Sequence, residues 1–223
     1  MCGRFTMTAS RQALLDAFRL VEDAPEAPPR YNICPTQPVM GLVEDLRGRP
    51  QWRWLRWGLI PAWAKEMAKG PPLINARAET VESKPAFRGP FRHHRCLIPA
   101  DGFYEWQAVG GGKQPFLFRL AGGGVFALAG LWDTWLGADG SEIDSCAVVT
   151  TTPNDLLQRF HDRMPVILAP DDHRYWLGAG ELPAAERARL FAPFPSVGMT
   201  ATKVDRRVGS PSFDSPACLE PVP

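Results

Sequence analysis

Paired cysteines are missing from this 223-residue chain: its five, Cys2, Cys34, Cys96, Cys146 and Cys218, are scattered and never stand as CxxC. An odd, dispersed set argues against a disulfide framework and against a zinc site. The four histidines, His93, His94, His161 and His173, make no HxxxH or HExxH pattern, so no metal is expected and no cofactor is implied. Net charge is nearly absent too, at +1. A protein that grips duplex DNA through many phosphates is more basic than this, so any nucleic-acid site must be a local patch. No apolar run approaches the roughly 20 residues of a membrane-spanning helix. Residues 1–20 lack the basic stretch and apolar run of a secretory signal. The expectation is a cytosolic protein with no membrane partner.

Internal repeats and long linkers are also lacking, which leaves one domain over residues 1–208 and a loose Pro/Ser-rich tail over 209–223. Thr8 to Arg19 places Ala13, Leu14, Ala17 and Phe18 on one face behind a Thr8 or Ser10 cap, the pattern of an amphipathic helix. Val39–Leu46 and Gln51–Trp57 flank Arg47-Gly48-Arg49-Pro50 and read as a hairpin. Trp52, Trp54 and Leu55 break strict alternation, which predicts a bulge or burial on both faces. Strands are predicted at 95–99, 103–109, 115–120, 125–132, 143–151, 164–168 and 196–200, bounded in part by two Gly-Gly-Gly turns. Short helices are predicted at 153–160, 171–177 and 183–191. Strands in series with peripheral short helices imply an α+β fold around a curved, largely antiparallel sheet or barrel.

Four polar residues stand out in aromatic or Gly/Pro-punctuated segments. Cys2 follows the first methionine; if Met1 is trimmed, Cys2 carries a free α-amine beside its thiol. Such an aminothiol condenses with an aldehyde to an imine and closes to a thiazolidine, or serves as an N-terminal nucleophile. Asn75 lies in Ile74-Asn75-Ala76-Arg77-Ala78-Glu79-Thr80, where it either bonds a reacting group or braces a loop. Glu105 lies in Phe103-Tyr104-Glu105-Trp106. Aromatic flanks raise a carboxyl's pKa toward the acid–base range, unless the side chain simply faces solvent. His161 precedes Asp162-Arg163-Met164-Pro165 at a helix end, as a proton carrier or as a structural histidine. If Arg4 and Arg163 lie near Cys2, they would favour its thiolate. The one dense basic run, Arg88-Gly89-Pro90-Phe91-Arg92-His93-His94-Arg95, fits a single-strand track if Phe87 and Phe91 join Trp57 and Trp63 as exposed stacking rings. It fits a basic loop if those rings are in the core.

Six ordered segments carry a resemblance. They are Met1-Cys2-Gly3-Arg4-Phe5, Arg30–Gln37 (RYNICPTQ), Arg56–Trp63 (RWGLIPAW), Asn75–Thr80 (NARAET), Cys96–Trp106 (CLIPADGFYEW) and His161–Pro165 (HDRMP). Together they resemble the SRAP family (SOS response-associated peptidase) across residues 1 to about 200. The resemblance implies a single mixed domain, a monomer that binds single-stranded DNA and captures abasic sites through a thiazolidine on Cys2. It implies Asn75, Glu105 and His161 as the other catalytic groups, and Arg4, Arg77 and Arg163 as phosphate holders. It further implies loss of Met1, by self-cleavage or ordinary trimming, a weak lyase activity, and localisation with the nucleoid when DNA is bound. One departure is that Trp63 is followed by Ala64, where many members carry two aromatics in succession, so Trp63 stands alone as the stacking candidate. Two other classes remain open from the residues: an N-terminal-nucleophile amidohydrolase or peptidase, since amidotransferases also begin Met-Cys-Gly, and a non-catalytic binder of modified DNA.

Overall fold

Apolar alternation and turn residues divide the chain into short strands. The computed structural model describes residues 2–21, 23–67 and 69–223. Among these, the strands are β1 (Phe5–Met7), β2 (Arg30–Ile33), β3 (Pro38–Glu44), β4 (Pro50–Trp57), β5 (Asn75–Arg77), β6 (Arg95–Ala100) and β7 (Gly102–Val109). They continue as β8 (Gly112–Leu120), β9 (Phe126–Leu136), β10 (Glu142–Thr151), β11 (Met164–Pro165), β12 (Ile167–Leu168) and β13 (Met199–Lys203). Four α-helices accompany them: α1 (Arg11–Ala17), α2 (Pro85–His93), α3 (His173–Leu177) and α4 (Ala184–Leu190).

The larger sheet closes on itself. β4, β3, β6, β9 and β10 pair antiparallel in that order, and β10 returns to β4 in a parallel seam through Ser145↔Arg56 and Cys146↔Trp57. This short seam joins the two ends of the strand order and closes a five-stranded barrel. β5 adds to β10, again in parallel. The second sheet, ordered β13-β8-β7-β1-β2, is antiparallel throughout. The fold is therefore α+β with largely antiparallel sheets, as the strand pattern predicts.

Aromatic residues join the two sheets. Phe5 on β1 meets the Trp57 indole edge-on, with centroids 5.0 Å apart, and both are buried. Burying side chains of this size contributes roughly 1.5–3 kcal/mol each, and the edge contact roughly another 0.5–1.5 kcal/mol. The other face of the second sheet is covered as well, by a smaller cluster of Tyr104, Leu117, Val204, Val208 and Cys218.

Several expectations are corrected by long-range packing. The β3–β4 register runs unbroken from Pro38↔Arg56 to Glu44↔Pro50, so β4 has no bulge. Its outer face is shared by Trp52, half-buried against Phe18, and the exposed Trp54. Residues 153–160 form only a 3-10 turn at Leu157–Arg159. There Asn154 Oδ1 accepts the amides of Leu156 and Leu157, and Phe160 leaves the turn to pack on Phe116 and Phe118. The strand expected at 164–168 divides at Val166 into β11 on β10 and β12 on β9. The basic run lies on helix α2 and its end, with Phe87 and Phe91 in the core. Trp57 is buried too, so these three rings do not stack bases. Arg95 is also buried, donating to the carbonyls of Phe91, Trp176, Gly178 and Gly180.

Residues 209–223 are not a loose tail. Asp214 accepts the amides of Tyr31 and Asn32 and pairs with Arg30 at 2.7 Å, and Cys218 is buried. Asn32, itself buried, donates to the carbonyls of Val208, Ser210 and Phe213. The C-terminal segment is thus fastened to β2, beside the strand that carries Cys2.

Candidate active site

Cys2 is positioned by β1. That strand is clamped to the start of β7 by Asp101, whose carboxylate accepts from Thr6 Oγ1, Thr8 Oγ1 and the Thr8 amide at 2.5–2.7 Å. Gly102 is required at this approach: a Cβ would lie 2.8 Å from both Thr6 Oγ1 and Leu117 Cδ1. The ladder sets Phe5 opposite Phe103 and continues through the Tyr104 amide to the Arg4 carbonyl at 3.0 Å. The same antiparallel register, carried two residues on, brings Glu105 level with the residues just after Cys2.

The side chains follow from period-2 alternation. Phe103 and Glu105 share one face of β7, and the cross-strand partners of these two are Phe118 and Phe116. Phe160 rests on both of those rings, with centroids at 5.0 and 4.7 Å. Glu105 therefore sits at the end of an aromatic wall and is 3% exposed. Burial is the main cause that raises its pKa to about 7, and the charge of Asp162 adds to it. Phe160 also delivers the next residue, His161, to the same region.

Asn75 arrives from the barrel side. β5 lies parallel to β10 with Asn75 level with Val148, and the carbonyl of Ile74 accepts from both the Val148 amide and the Trp57 indole. Asn75 Nδ2 donates to the Cys2 carbonyl at 3.0 Å, bridging the two sheets at the site. Its Oδ1 is buried with no hydrogen-bond partner among the described residues. That orphaned acceptor is open to an N–H or O–H donor.

The Cys2 thiol is fully buried, and burial first, then the negative charge of Glu105, push its pKa well up. The arginines do not offset this, contrary to the expectation that they favour a thiolate. Arg4 is turned to Asn32 Oδ1 and to the carbonyls of Val208 and Gly209 at 2.7–2.9 Å. These acceptors are neutral, so its charge persists locally. Arg163 is neutralised by Glu79, which it grips with both terminal nitrogens at 2.6 and 2.9 Å. Arg77 is exposed, two residues from Asn75 on the same strand and hence on the same face.

His161 is drawn in two directions. Its Nδ1 accepts the Arg163 amide at 3.0 Å and also lies 2.8 Å from the Asp162 carboxylate. These contacts need opposite protonation of one nitrogen. The pKa of His161 is lowered, chiefly by burial, which favours the neutral ring and the amide contact. Asp162 is largely exposed, so water competes for its carboxylate.

The structure thus gathers Cys2, Asn75, Glu105 and His161, while the Arg4 guanidinium turns to the C-terminal segment and Arg77 stands exposed beyond Asn75. Trp63 lies along the loop that leads into β5. It is 65% exposed on the 58–73 loop, donates to the Pro85 carbonyl at 3.4 Å, and borders a groove of about 440 Å³ with Pro61, Met67, Pro72 and Leu73. Sequence reasoning passed over Asp101, Asn32 and Glu79, although all three lie in the quoted segments. Their short polar side chains beside β-rich runs were the available signal.

The raised pKa of Glu105 carries a stability prediction. With an ordinary value of 4.5 and a folded value of about 7, the native state holds an extra proton between these pH values. The group's stabilising contribution is full below pH 4.5 and is lost as pH rises through 7. Glu105→Gln is expected to raise the thermal midpoint at pH 8 and leave it almost unchanged at about pH 4, below the unfolded value. Equal shifts at both values would contradict the assignment.

A closed small barrel flanked by a second sheet, with a buried cysteine at position two bonded through its backbone to an asparagine and close to a buried carboxyl, defines a class of barrel proteins with a thiol–carboxyl site between two sheets. The family described as SOS response associated peptidase (SRAP) matches residues 1–211, and the chain belongs to that family. Among its relatives, abasic site processing protein YoqW of Bacillus subtilis (strain 168) is 38% identical over 223 residues, covering 99% of each chain. Abasic site processing protein YedK of Escherichia coli (strain K12) is 32% identical over 232 residues, covering 100% of each. A crystal structure of a protein from Bacteroides thetaiotaomicron superposes with a TM-score of 0.84 at 26% identity, covering 99% of this chain and 100% of that one.

Proposed function

We propose that this protein processes abasic sites in single-stranded DNA by capturing them covalently on Cys2 once Met1 is removed. Hydrolysis of the Met1–Cys2 bond, by the protein itself or by ordinary trimming, frees the α-amine. The amine adds to the aldehyde of the ring-opened deoxyribose and one water leaves, giving an imine. The Cys2 sulfur then bonds to the imine carbon, its proton passes to the nitrogen, and a thiazolidine results. The observation that carries this reading is the Asn75–Cys2 bond at 3.0 Å, which holds the reacting backbone at a buried carboxyl. Both names of the bacterial relatives above point to the same substrate.

Each neighbour has a role in this reading. An abasic deoxyribose is mostly a closed hemiacetal, so its ring oxygen must gain a proton as the ring opens. Glu105, near neutrality at about 7, and neutral His161 are suited to that transfer and to collecting the thiol proton. The orphaned Asn75 Oδ1 accepts from the freed amine or a sugar hydroxyl. Arg77 and the persisting charge of Arg4 attract the flanking phosphates, Arg163, already paired with Glu79, anchors the site rather than holding a phosphate, and Trp63 stacks a base farther along. The protein acts as a monomer in the cytosol, at the nucleoid when bound, and shields the lesion during the DNA damage response. Strand cleavage at the lesion is at most a slow side reaction.

The test is a denaturing gel with a single strand carrying one abasic site, followed by intact mass. A heat-stable adduct is expected whose mass equals trimmed protein plus DNA minus one water. Binding in a native gel with no adduct under denaturing conditions would instead support a non-covalent binder. Ammonia release from glutamine would support the amidohydrolase class.

A further inference from the structure

His161 is held from two sides, and only one of them has been given a function. On its N-terminal side, Phe160 is wedged between Phe116 and Phe118, and the His161 amide bonds to the Leu157 carbonyl at 3.0 Å. On its C-terminal side stands Arg163. That guanidinium is fixed to Glu79 by two parallel bonds and to the Thr150 carbonyl at 2.5 Å. Thr150 is the β10 partner of Arg77, and its carbonyl also takes the Ala78 amide. Arg163 therefore ties the 161–163 bend to the β5–β10 pair, the element that also presents Asn75.

We propose that Glu79 is a positioning residue. Its ion pair with Arg163 holds the bend so that the Arg163 amide engages His161 Nδ1 and leaves the ring proton on Nε2. Among the described residues, two groups compete for Nδ1. The Arg163 N–H needs it bare, whereas the Asp162 carboxylate at 2.8 Å needs it protonated. In a neutral imidazole the proton sits on one nitrogen or the other, so the winner sets which nitrogen can donate. A bidentate pair to a planar guanidinium, with Arg163 only 10% exposed, gives the strut the geometric definition that the exposed Asp162 lacks. Without Glu79 the Arg163 side chain loses its carboxylate, the bend relaxes, and Asp162 takes Nδ1. Nε2 is then left as an acceptor, the wrong polarity for giving a proton to the sugar ring oxygen. This inference rests on the proposed role of His161 in proton transfer, and its test separates the two.

The experiment combines adduct kinetics on the abasic single strand with 15N imidazole spectra of the full chain, the His161 signals assigned by loss in His161→Ala. Wild type is expected to show a bare Nδ1 and a protonated Nε2. Glu79→Ala is expected to invert that pattern and slow adduct formation, by up to about a hundredfold if the group is misplaced by about an ångström. Glu79→Asp is expected to recover part of the rate. Asp162→Ala in the Glu79→Ala background is expected to restore both tautomer and rate, because the competitor is gone. A purely structural role for Glu79 would not give that last rescue. An unchanged His161 spectrum in Glu79→Ala overturns the proposal, whatever the rate. If the spectrum inverts but His161→Ala reacts at the wild-type rate, the strut stands and the role given to His161 fails.

Discussion

Cys2→Ala is expected to abolish the heat-stable adduct, leaving less than roughly 1% of the wild-type yield. Cys2→Ser should do no better, because a hydroxyl is a far weaker nucleophile than a thiol at neutral pH and its ring product is less durable. The alanine variant keeps the α-amine, so it can still form an imine, but that bond hydrolyses on heating. Borohydride reduction separates the two steps: it should trap the alanine variant as a stable amine while leaving the unreduced sample free. The substitution removes one buried sulfur from a site held by backbone bonds to Asn75 and by the Asp101 clamp, so folding should be little affected. A Cys2→Ala protein that gives a wild-type yield of heat-stable adduct without reductant would overturn the thiazolidine chemistry. Protein retaining Met1, identified by intact mass, is expected to be as inert as the alanine variant.

Asn32→Ala is expected to cost substantial stability through lost hydrogen bonds rather than lost packing. The side chain is fully buried, donates to three carbonyls of the C-terminal segment and accepts from Arg4 Nη1 at 2.9 Å. Alanine removes the bond these groups share in a region closed to water, although Arg4 keeps the Val208 carbonyl, a loss of roughly 2–3 kcal/mol. For a chain of this size the midpoint should fall by on the order of 10 °C. Arg4 bonds the same Val208 carbonyl, so the loosened segment also releases β1. Adduct formation should therefore slow even at temperatures where the variant is folded. A midpoint within about 2 °C of wild type would show that the clasp is dispensable.

Legibility of the sequence followed the range of the interactions. The hairpin at Arg47–Pro50, the Ser10 cap of α1 and the Gly-bounded middle strands depend on neighbours within a few residues, and were readable. Helix α2 was not, because Gly89 and Pro90 are local breakers. Pro90 sits inside the helix nonetheless, where burial of Phe87, Pro90 and Phe91 offsets the lost backbone bond. The tail was misread for a similar reason: composition marks Pro and Ser as loose, but Asp214 finds its amides 182 and 183 positions earlier. At the site, residue types pointed to Asn75, Glu105 and His161. What types alone could not convey was direction: Glu105 shares the Phe103 face, and Arg163 turns to Glu79.

The pairing of β1 also sets a schedule. Phe5 and Thr6 complete their ladder only with Phe103 and Gly102, so the N-terminus cannot be seated until that part of the chain has been synthesised. At about 5–20 residues per second this leaves several seconds in which residues 1–7 are tethered but unfolded. If Met1 is removed by trimming, as in the proposed chemistry, this is the interval in which the trimming enzyme meets it, before the Cys2 thiol disappears into the core. Under the proposed chemistry, activation is thus a race between ribosome and sheet, and slowing β7 synthesis would lengthen the time in which the protein can be armed.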